Sequence, residues 1–250
     1  MEQSTYRGIN GNRSRNGGID TARLADDTGF PTVKPAQRSL LTALGCRAFG
    51  ESGPRKYGMS RFEYYERLHS INSDIYRFIL LDVAKAVAES NAVGLLGVMP
   101  TNKTTFDRFT GGRVSQFEFG PGEVLARDFR GPCDLYLQTL YLEPNRYRLM
   151  RRLLNGLLRA MAELSRGGID GSGPGGGVRI FCEATTPAGK NIMAAFGMTG
   201  CGFSKDGNPI YVIHTSAGKP LLINTPRKLL NAELQEYVSQ GHCMWGDSRG

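Results

Sequence analysis

The stretch VRIFCEATTPAGKNIMAAFGMTGCGF, residues 178–203, decides the fold of this chain of 250 residues. Its beginning, Val178 to Glu183, is mostly apolar and β-forming and predicts a strand. Thr186 and Pro187 then open a short helix, expected over about 188–198, because proline favours the first helical position. The glycines that follow are expected to end this helix. A strand that leads directly into a helix is typical of an α/β fold.

A second strand and helix precede that stretch. Asp134 to Leu142 (DLYLQTLYL) is rich in leucine and tyrosine, which predicts a mostly buried strand. A helix is expected over roughly 145–165, where leucine and methionine recur at helical spacing. Ile210 to His214 is expected to be a final strand. From 134 to 214 the predicted order is therefore strand, helix, strand, short helix, Gly-Phe, strand.

Further upstream, the pattern predicts helices followed by two strands. Ser60 with Glu63 three residues later forms a capping box, which predicts a helix start. Tyr76 to Asp82 and Ala92 to Met99 are expected to be strands, and Pro100 is expected to end the second one.

The spacing within the deciding stretch resembles the last motif of the GNAT superfamily, the acyl-CoA-dependent N-acyltransferases. Glu183 ends the strand, and Ala194 stands three residues after Asn191. Gly202 and Phe203 stand eleven and twelve residues after the same asparagine. The resemblance covers about residues 60–214 and implies one domain in which a mixed central sheet is flanked by helices.

The resemblance also implies a function. Its co-substrate would be acetyl-CoA or another acyl-CoA, and an amine of unknown identity would accept the acyl group. The strand Leu135 to Leu142, with Glu143 and Pro144 after it, resembles the central strand of the family. The residues implied to bind acyl-CoA include Leu140, Tyr141 and Leu142 on that strand, together with Asn191.

Two positions depart from the family pattern. The family usually has a glycine-rich loop after the central strand, where backbone N–H groups hold the pyrophosphate, but residues 145–152 contain no glycine. A tyrosine that often protonates the leaving thiolate is replaced by Met198.

An arginine cluster stands where the glycine loop is missing. Its members are Arg146, Arg148, Arg151 and Arg152. Because a helix N-terminus favours anions and arginine binds phosphate through two hydrogen bonds, the cluster predicts a pyrophosphate site. The alternative is an ordinary solvated helix face that also includes Asn155 and Arg159.

A general base is needed to take a proton from the attacking amine. The candidates are Glu183, at the end of its strand, and Asp134 and Glu143, at the two ends of the central strand. Each of these carboxylates is alternatively a strand-end charge. The neighbouring Cys182 is expected to point to the opposite face and to be a core thiol.

Two other functions stay open at this point. A GNAT-like chain that has lost catalysis would act as a binding or structural protein in a larger assembly. The net charge of +8, with five aromatic residues (Tyr57, Phe62, Tyr64, Tyr65 and Tyr76) interleaved among basic residues, would also suit a nucleic-acid-directed enzyme. An amphipathic helix, with its aromatic residues in the core and its basic residues in solvent, explains the same mixture.

The chain is expected to divide into three parts. Residues 1–35 read as a flexible polar arm, which is either an interaction arm for a protein partner or an export signal of a non-Sec kind. Residues 36–216 form the GNAT-like domain, with an insertion at 101–133 and a glycine-rich loop at 167–177. A C-terminal amphipathic helix and a tail follow over 217–250.

Composition excludes several protein classes. A hydrophobic fraction of 40% and a charged fraction of 22% argue against wholesale disorder. No apolar run approaches the roughly 20 residues that a membrane span needs. Five cysteines without a CxxC pair and three histidines give no zinc spacing, so we expect no metal. Free thiols favour a reducing compartment such as the cytoplasm.

Overall fold

The computed structural model describes residues 30–129, 131, 133–165 and 179–214. The strands in this part are β1 (Tyr76–Leu80), β2 (Ala92–Thr101), β3 (Asp134–Leu142), β4 (Arg179–Glu183), β5 (Thr199–Phe203) and β6 (Pro209–His214). The helices are α1 (Arg38–Phe49), α2 (Ser52–Arg55), α3 (Arg61–Ile71), α4 (Lys103–Thr110), α5 (Met150–Ser165) and α6 (Pro187–Ala195). Short 3₁₀ turns lie at Pro35–Gln37, Gln116–Glu118 and Tyr147–Leu149.

All six strands belong to one sheet, with the order β1-β2-β3-β4-β6-β5. Only β3 and β4 pair in parallel, and every other neighbouring pair is antiparallel. Helices cover the sheet, so the predicted α/β class with a mixed central sheet flanked by helices is confirmed. The element order from β3 to β6 also agrees with the order predicted for residues 134–214.

The two faces of the sheet bury different side chains. One face is aromatic and packs against α1 and α3 through Tyr64, Tyr76, Phe78, Tyr136 and Phe181, among others. The other face is aliphatic and packs against α5 and α6. Tyr64, Tyr65 and Tyr76 are completely buried, so these rings cannot stack on nucleic-acid bases.

The predicted helix start at Ser60 is confirmed. Its hydroxyl accepts from the Glu63 N–H at 3.2 Å, and the Glu63 carboxylate accepts from the Ser60 N–H at 2.6 Å. The cap fixes α3, which carries the buried tyrosines of the aromatic face.

The last residues of the expected N-terminal arm pack in the core. Phe30 and Val33 are buried, at 5% and 2% exposure. The Val33 N–H donates to the Tyr76 carbonyl, and the Phe78 N–H donates to the Pro31 carbonyl, so this segment adds to the free edge of β1.

Strand ends differ from the prediction at two places. β2 continues through Pro100 to Thr101. Proline is tolerated there because β1 begins at Tyr76, opposite Gly97, and so does not extend beside Pro100, whose carbonyl accepts from the Leu125 N–H. β5 was not predicted at all, because its glycines were expected only to end the helix; pairing with β6 forms this exposed edge strand.

The helix after β3 begins later than expected. A 3₁₀ turn precedes α5, which starts at Met150. Asn155 is buried rather than part of a solvated face. Phe30 packs over the neighbouring Gly156 and covers this side of α5.

Other expectations concern the segment 101–133, the glycine-rich loop, and the C-terminal helix and tail. The segment 101–133 contains α4 and buries Phe109, Phe117 and Phe119 in the aromatic core. The glycine-rich loop and the C-terminal helix and tail lie outside the described residues. Within the described ranges, no helix is both long and apolar enough to cross a membrane.

Candidate functional site

The central strands β3 and β4 separate after two paired residues. β3 pairs with β2 from Asp134 to Leu142, with one register shift that leaves Gln138 without a partner on β2. Its pairing with β4 is confined to Leu135↔Ile180 and Tyr136↔Phe181. Counting two residues further along each strand places Gln138 and Glu183 at the fork where the strands diverge. A crevice therefore opens beyond the fork, towards the carboxyl ends of both strands.

The backbone of β3 faces this crevice at two residues. The Glu143 N–H donates to the Val93 carbonyl on β2 at 2.9 Å. Backbone groups alternate in direction along an antiparallel strand, so Tyr141 also faces β2, whereas Leu140 and Leu142 face the opposite side. β4 does not reach these two residues in the described part of the chain. Two N–H donors and two carbonyl acceptors are thus presented to the crevice.

The N-terminal end of α5 lies at the mouth of the crevice, because α5 connects the parallel strands β3 and β4. Crevices at the carboxyl ends of parallel strands, where the sheet changes direction, are common ligand sites. Asn145, with a φ of 64°, turns the chain between β3 and the helix in the left-handed region that asparagine tolerates.

The four predicted arginines are not equivalent. Arg152 donates to the carbonyl oxygens of Leu80 and Leu81, which fixes it at the end of β1. Arg146 is half-buried and Arg148 is exposed, both ahead of the first turn of α5. The side chain of Arg151 lies outside the described atoms.

Glu183 is the carboxylate at the fork. The Gln116 amide nitrogen donates to one of its oxygens, and Asn208 Nδ2 donates to the other at 3.2 Å. Burial raises the pKa of the Glu183 carboxyl above its ordinary value, and hydrogen bonds from Ser204 and Asn208 offset part of this rise. A half-buried carboxylate with a raised pKa is a stronger base than an ordinary carboxylate, which suits proton transfer.

Asp134 lies at the opposite end of β3 from the crevice. Its two carboxylate oxygens accept from Arg179 at 2.8 and 2.5 Å, in a bidentate ion pair. This pair joins the first residues of β3 and β4 where the strands still run together. Asp134 therefore helps to hold β3 and β4 together and lies outside the crevice.

The remaining predicted residues lie on the periphery of the crevice. Glu143 ends β3 and pairs with Arg47 at 2.9 Å. Asn191 is exposed in the middle of α6, whose N-cap is Thr186. Met198 and Cys182 are buried on the aliphatic face, and burial raises the pKa of the Cys182 thiol. This thiol is thus a core group, as expected.

Two functional neighbours of Glu183 were not predicted. Gln116 comes from the 3₁₀ turn in segment 101–133, and Asn208 comes from the β5–β6 turn. They are 67 and 25 residues away from Glu183 in sequence. No local spacing could have indicated either contact, because only the folded sheet brings them together.

Other parts of the molecule offer less. A groove of about 710 Å³ lies between α4 and the β5–β6 edge, lined by residues such as Phe106, Cys201 and Val212. Among the described residues, no group of three or more His, Cys, Asp or Glu side chains could hold a metal ion.

Comparison with known proteins gives structural likeness only. No protein-family model matches the chain, and no curated protein matches it either. One similar solved structure is an acetyltransferase of the GNAT family from Streptococcus agalactiae, with 14% identity and a TM-score of 0.42 over 74% of this chain and 94% of that one. Another is described as histone acetyltransferase HPA2 and related acetyltransferase, from Corynebacterium glutamicum, with 15% identity and a TM-score of 0.35 over 73% and 93%. A likeness this distant does not carry an activity or a substrate across to this chain.

Proposed function

We propose that this protein transfers an acyl group from an acyl-CoA to an amine. The observation that carries the proposal is the crevice between β3 and β4, where Leu140 and Leu142 present unpaired backbone groups beside a half-buried Glu183. The acyl-CoA would supply a thioester, whose carbon–sulfur bond breaks as the amine nitrogen bonds to the carbonyl carbon.

The residues of the crevice divide this work between them. The N–H groups of Leu140 and Leu142 are placed to bind carbonyl oxygens of an extended ligand, much as a strand would. Glu183 would take the proton that the amine loses, and Gln116 and Asn208 hold its carboxylate in position. Tyr141 would contribute through its packing, since its backbone groups face β2.

The pyrophosphate would lie at the N-terminal end of α5. Arg146 and Arg148 are placed to contact it, with Arg151 next along the helix, whereas Arg152 is already bound to carbonyls of β1. Asn191 would contact the ligand only if the acyl-CoA extends beyond the crevice towards α6. We infer that side chains replace the missing glycine loop as the phosphate contacts.

Acetyl-CoA titration by calorimetry tests the proposal. We expect binding that weakens with added salt, because arginines contact the phosphates. Arg146→Gln should weaken it by about tenfold or more, as expected for one hydrogen bond between charged groups. Arg113→Gln is the matched control, because Arg113 lies on the loop after α4 and its side chain donates to the Asp107 carbonyl there.

Turnover separates catalysis from binding alone. Release of free CoA thiol with a panel of amines should be detectable, and Glu183→Gln should abolish it while acetyl-CoA affinity stays unchanged. Binding without turnover would favour the alternative, a GNAT-like binding protein. No binding of any acyl-CoA would contradict the acyltransferase proposal and would favour a non-catalytic role in a larger assembly.

A further inference from the structure

A largely buried aspartate, Asp206, lies in the turn between β5 and β6, two residues before Asn208. Its side chain is only 9% exposed. One carboxylate oxygen accepts from the Tyr57 hydroxyl at 3.0 Å, and the other accepts from the Ser115 hydroxyl at 2.5 Å. Because burying a carboxylate is costly without hydrogen bonds, these two contacts explain how the turn tolerates an aspartate there.

Ser115 connects Asp206 to one of the amide donors on Glu183. It is the N-cap of the 3₁₀ turn that begins at Gln116, and we call Ser115 with this turn the Ser115 turn. The Ser115 hydroxyl accepts from the Phe117 N–H at 3.2 Å while it donates to Asp206. The hydrogen bond to Asp206 therefore holds the turn from which the Gln116 side chain reaches Glu183.

The turn that contains Asp206 presents the other amide donor, Asn208. Backbone hydrogen bonds close this turn, from the Ser204 N–H to Asn208 at 2.8 Å and from the Gly207 N–H to Ser204 at 2.9 Å. The Ser204 hydroxyl also accepts from the Asn208 N–H at 3.2 Å. Because the turn is closed on itself, fixing Asp206 also fixes Asn208, whose Nδ2 donates to Glu183.

The two donors on Glu183 thus belong to two turns that are distant in sequence and that Asp206 joins. A second link runs between the same turns, where Lys205 Nζ donates to Glu118 at 2.7 Å. The side chains of Lys205 and Glu118 are 41% and 35% exposed, so solvent screens this pair. The contact between Asp206 and Ser115 is less exposed and is therefore the stronger constraint.

The charge of Asp206 acts on Glu183 in addition to its geometry. Burial raises the pKa of the Glu183 carboxyl most, and the negative charge of Asp206 raises this pKa further. Lys56 Nζ lies 3.6 Å from Asp206, but the Lys56 side chain is 65% exposed and is screened by solvent. The other titratable side chains near Glu183 are Tyr136 and Cys182, whose pKa values burial raises, so both are neutral near pH 7.

We propose that Asp206 is a positioning residue for the general base. By tying the β5–β6 turn to the Ser115 turn, it keeps both amide donors on the Glu183 carboxylate and holds that carboxylate in one orientation at the fork. This inference rests on the proposed acyl transfer, because Glu183 is the base of that reaction. Asp206 acts through Glu183 and does not itself contact the reacting groups.

Two replacements separate the hydrogen bonds of Asp206 from its charge. Asp206→Asn removes the charge, but the amide is able to keep a hydrogen bond to each hydroxyl, whereas Asp206→Ala removes both. With acetyl-CoA and the best amine of the panel, we expect kcat to fall by about threefold in Asp206→Asn and by about tenfold or more in Asp206→Ala. The KM for acetyl-CoA should be unchanged in both variants. In Asp206→Asn the acidic limb of the pH–rate profile should move to lower pH, because a negative charge beside Glu183 is gone.

Glu118→Gln is the matched control. It also removes one negative charge and weakens a link between the same two turns. The glutamine oxygen is still able to accept from the Ser115 N–H, as Glu118 does at 2.8 Å. We expect kcat and the acidic limb of the profile to stay as in the wild type.

A measurement without turnover keeps the test independent of the proposed function. The side-chain amide protons of Gln116 and Asn208 are followed by NMR. They should exchange slowly in the wild type and in Asp206→Asn, and about tenfold faster or more in Asp206→Ala, because the constraint on both turns is lost. If Asp206→Ala does not fold, Tyr57→Phe replaces it, since it removes one hydrogen bond of Asp206 and keeps the charge. Faster amide exchange and a roughly threefold lower kcat are expected in that variant.

Two results would overturn the inference. Equal kcat values in Asp206→Asn and Asp206→Ala would mean that the aspartate acts through its charge alone. Unchanged amide exchange in Asp206→Ala would mean that Gln116 and Asn208 stay on Glu183 without it. If acyl transfer is observed in either case, the proposed function stands and only the positioning role is wrong. If amide exchange changes as expected but no acyl-CoA reacts, the proposed function fails and Asp206 remains the residue that holds Glu183 in place.

Discussion

Replacing Gly156 by alanine should destabilise the wild-type protein but stabilise a variant in which Phe30 is also replaced by alanine. Gly156 lies inside α5, where Gly→Ala normally stabilises a helix by about 0.5–1 kcal/mol. Here a Cβ would lie 2.4 and 2.5 Å from ring carbons of Phe30, which is far too close. Overpacking of this kind costs about 1–3 kcal/mol. We therefore expect Gly156→Ala alone to destabilise the protein by roughly 1 kcal/mol, after the helix gain is subtracted from the packing cost.

The double mutant supplies the contrast. Phe30→Ala alone removes a buried ring and should cost about 3 kcal/mol. In that background the space above Gly156 is empty, so Gly156→Ala should now stabilise by about 0.5–1 kcal/mol. Urea unfolding followed by circular dichroism measures all four corners of the cycle. If Gly156→Ala stabilises both backgrounds equally, Phe30 does not pack on α5 and this part of the fold is wrong.

Three further predictions concern other parts of the molecule. A chain that begins at Pro35 loses Phe30 and Val33, so its melting temperature should fall by about 10 °C or more, from roughly 2–4 °C per kcal/mol; a shift of only a degree or two would instead mean that residues 30–34 contribute little. Asp134→Asn should cost about 1–3 kcal/mol of stability, because it replaces a bidentate charged pair with Arg179 by a neutral contact while Asp107 stays 3.7 Å from the same guanidinium, and acetyl-CoA affinity should be unchanged in calorimetry; lost affinity at normal stability would place Asp134 in the site after all. Acyl transfer should decline as the pH falls through the raised pKa of Glu183. Glu183→Gln should stabilise the fold at pH values above that pKa but not below the unfolded-state pKa, because burial disfavours only the ionised form. A gain in stability that persists in acid would contradict this origin.

Local patterns were sufficient for most elements of the fold. The capping box at Ser60, the alternation in β3 and the proline that opens α6 each depend on neighbours within a few residues. β5 could not be predicted in the same way, because TGCGF has little strand propensity and forms a strand only by pairing with β6. The burial of Phe30 also depends on a distant partner, Gly156.

The same distinction between local patterns and distant contacts applies to the candidate site. Glu183 was found from its place at the end of a strand, and β3 from its pattern. Which of its backbone groups face the crevice depends on its register with β2, which sequence does not show. Gln116 and Asn208 meet Glu183 through tertiary packing, so these contacts emerge only in the folded chain.

Amide hydrogen exchange at β3, measured by NMR with and without acetyl-CoA, tests the central claim most directly. In the free protein, the amides of Leu140 and Leu142 face the open crevice and should exchange faster than that of Tyr141, which faces β2. Acetyl-CoA should slow exchange at Leu140 and Leu142 and leave Tyr141 nearly unchanged. Unchanged exchange at both leucines in the presence of bound acetyl-CoA would place the ligand elsewhere and contradict the account of the crevice.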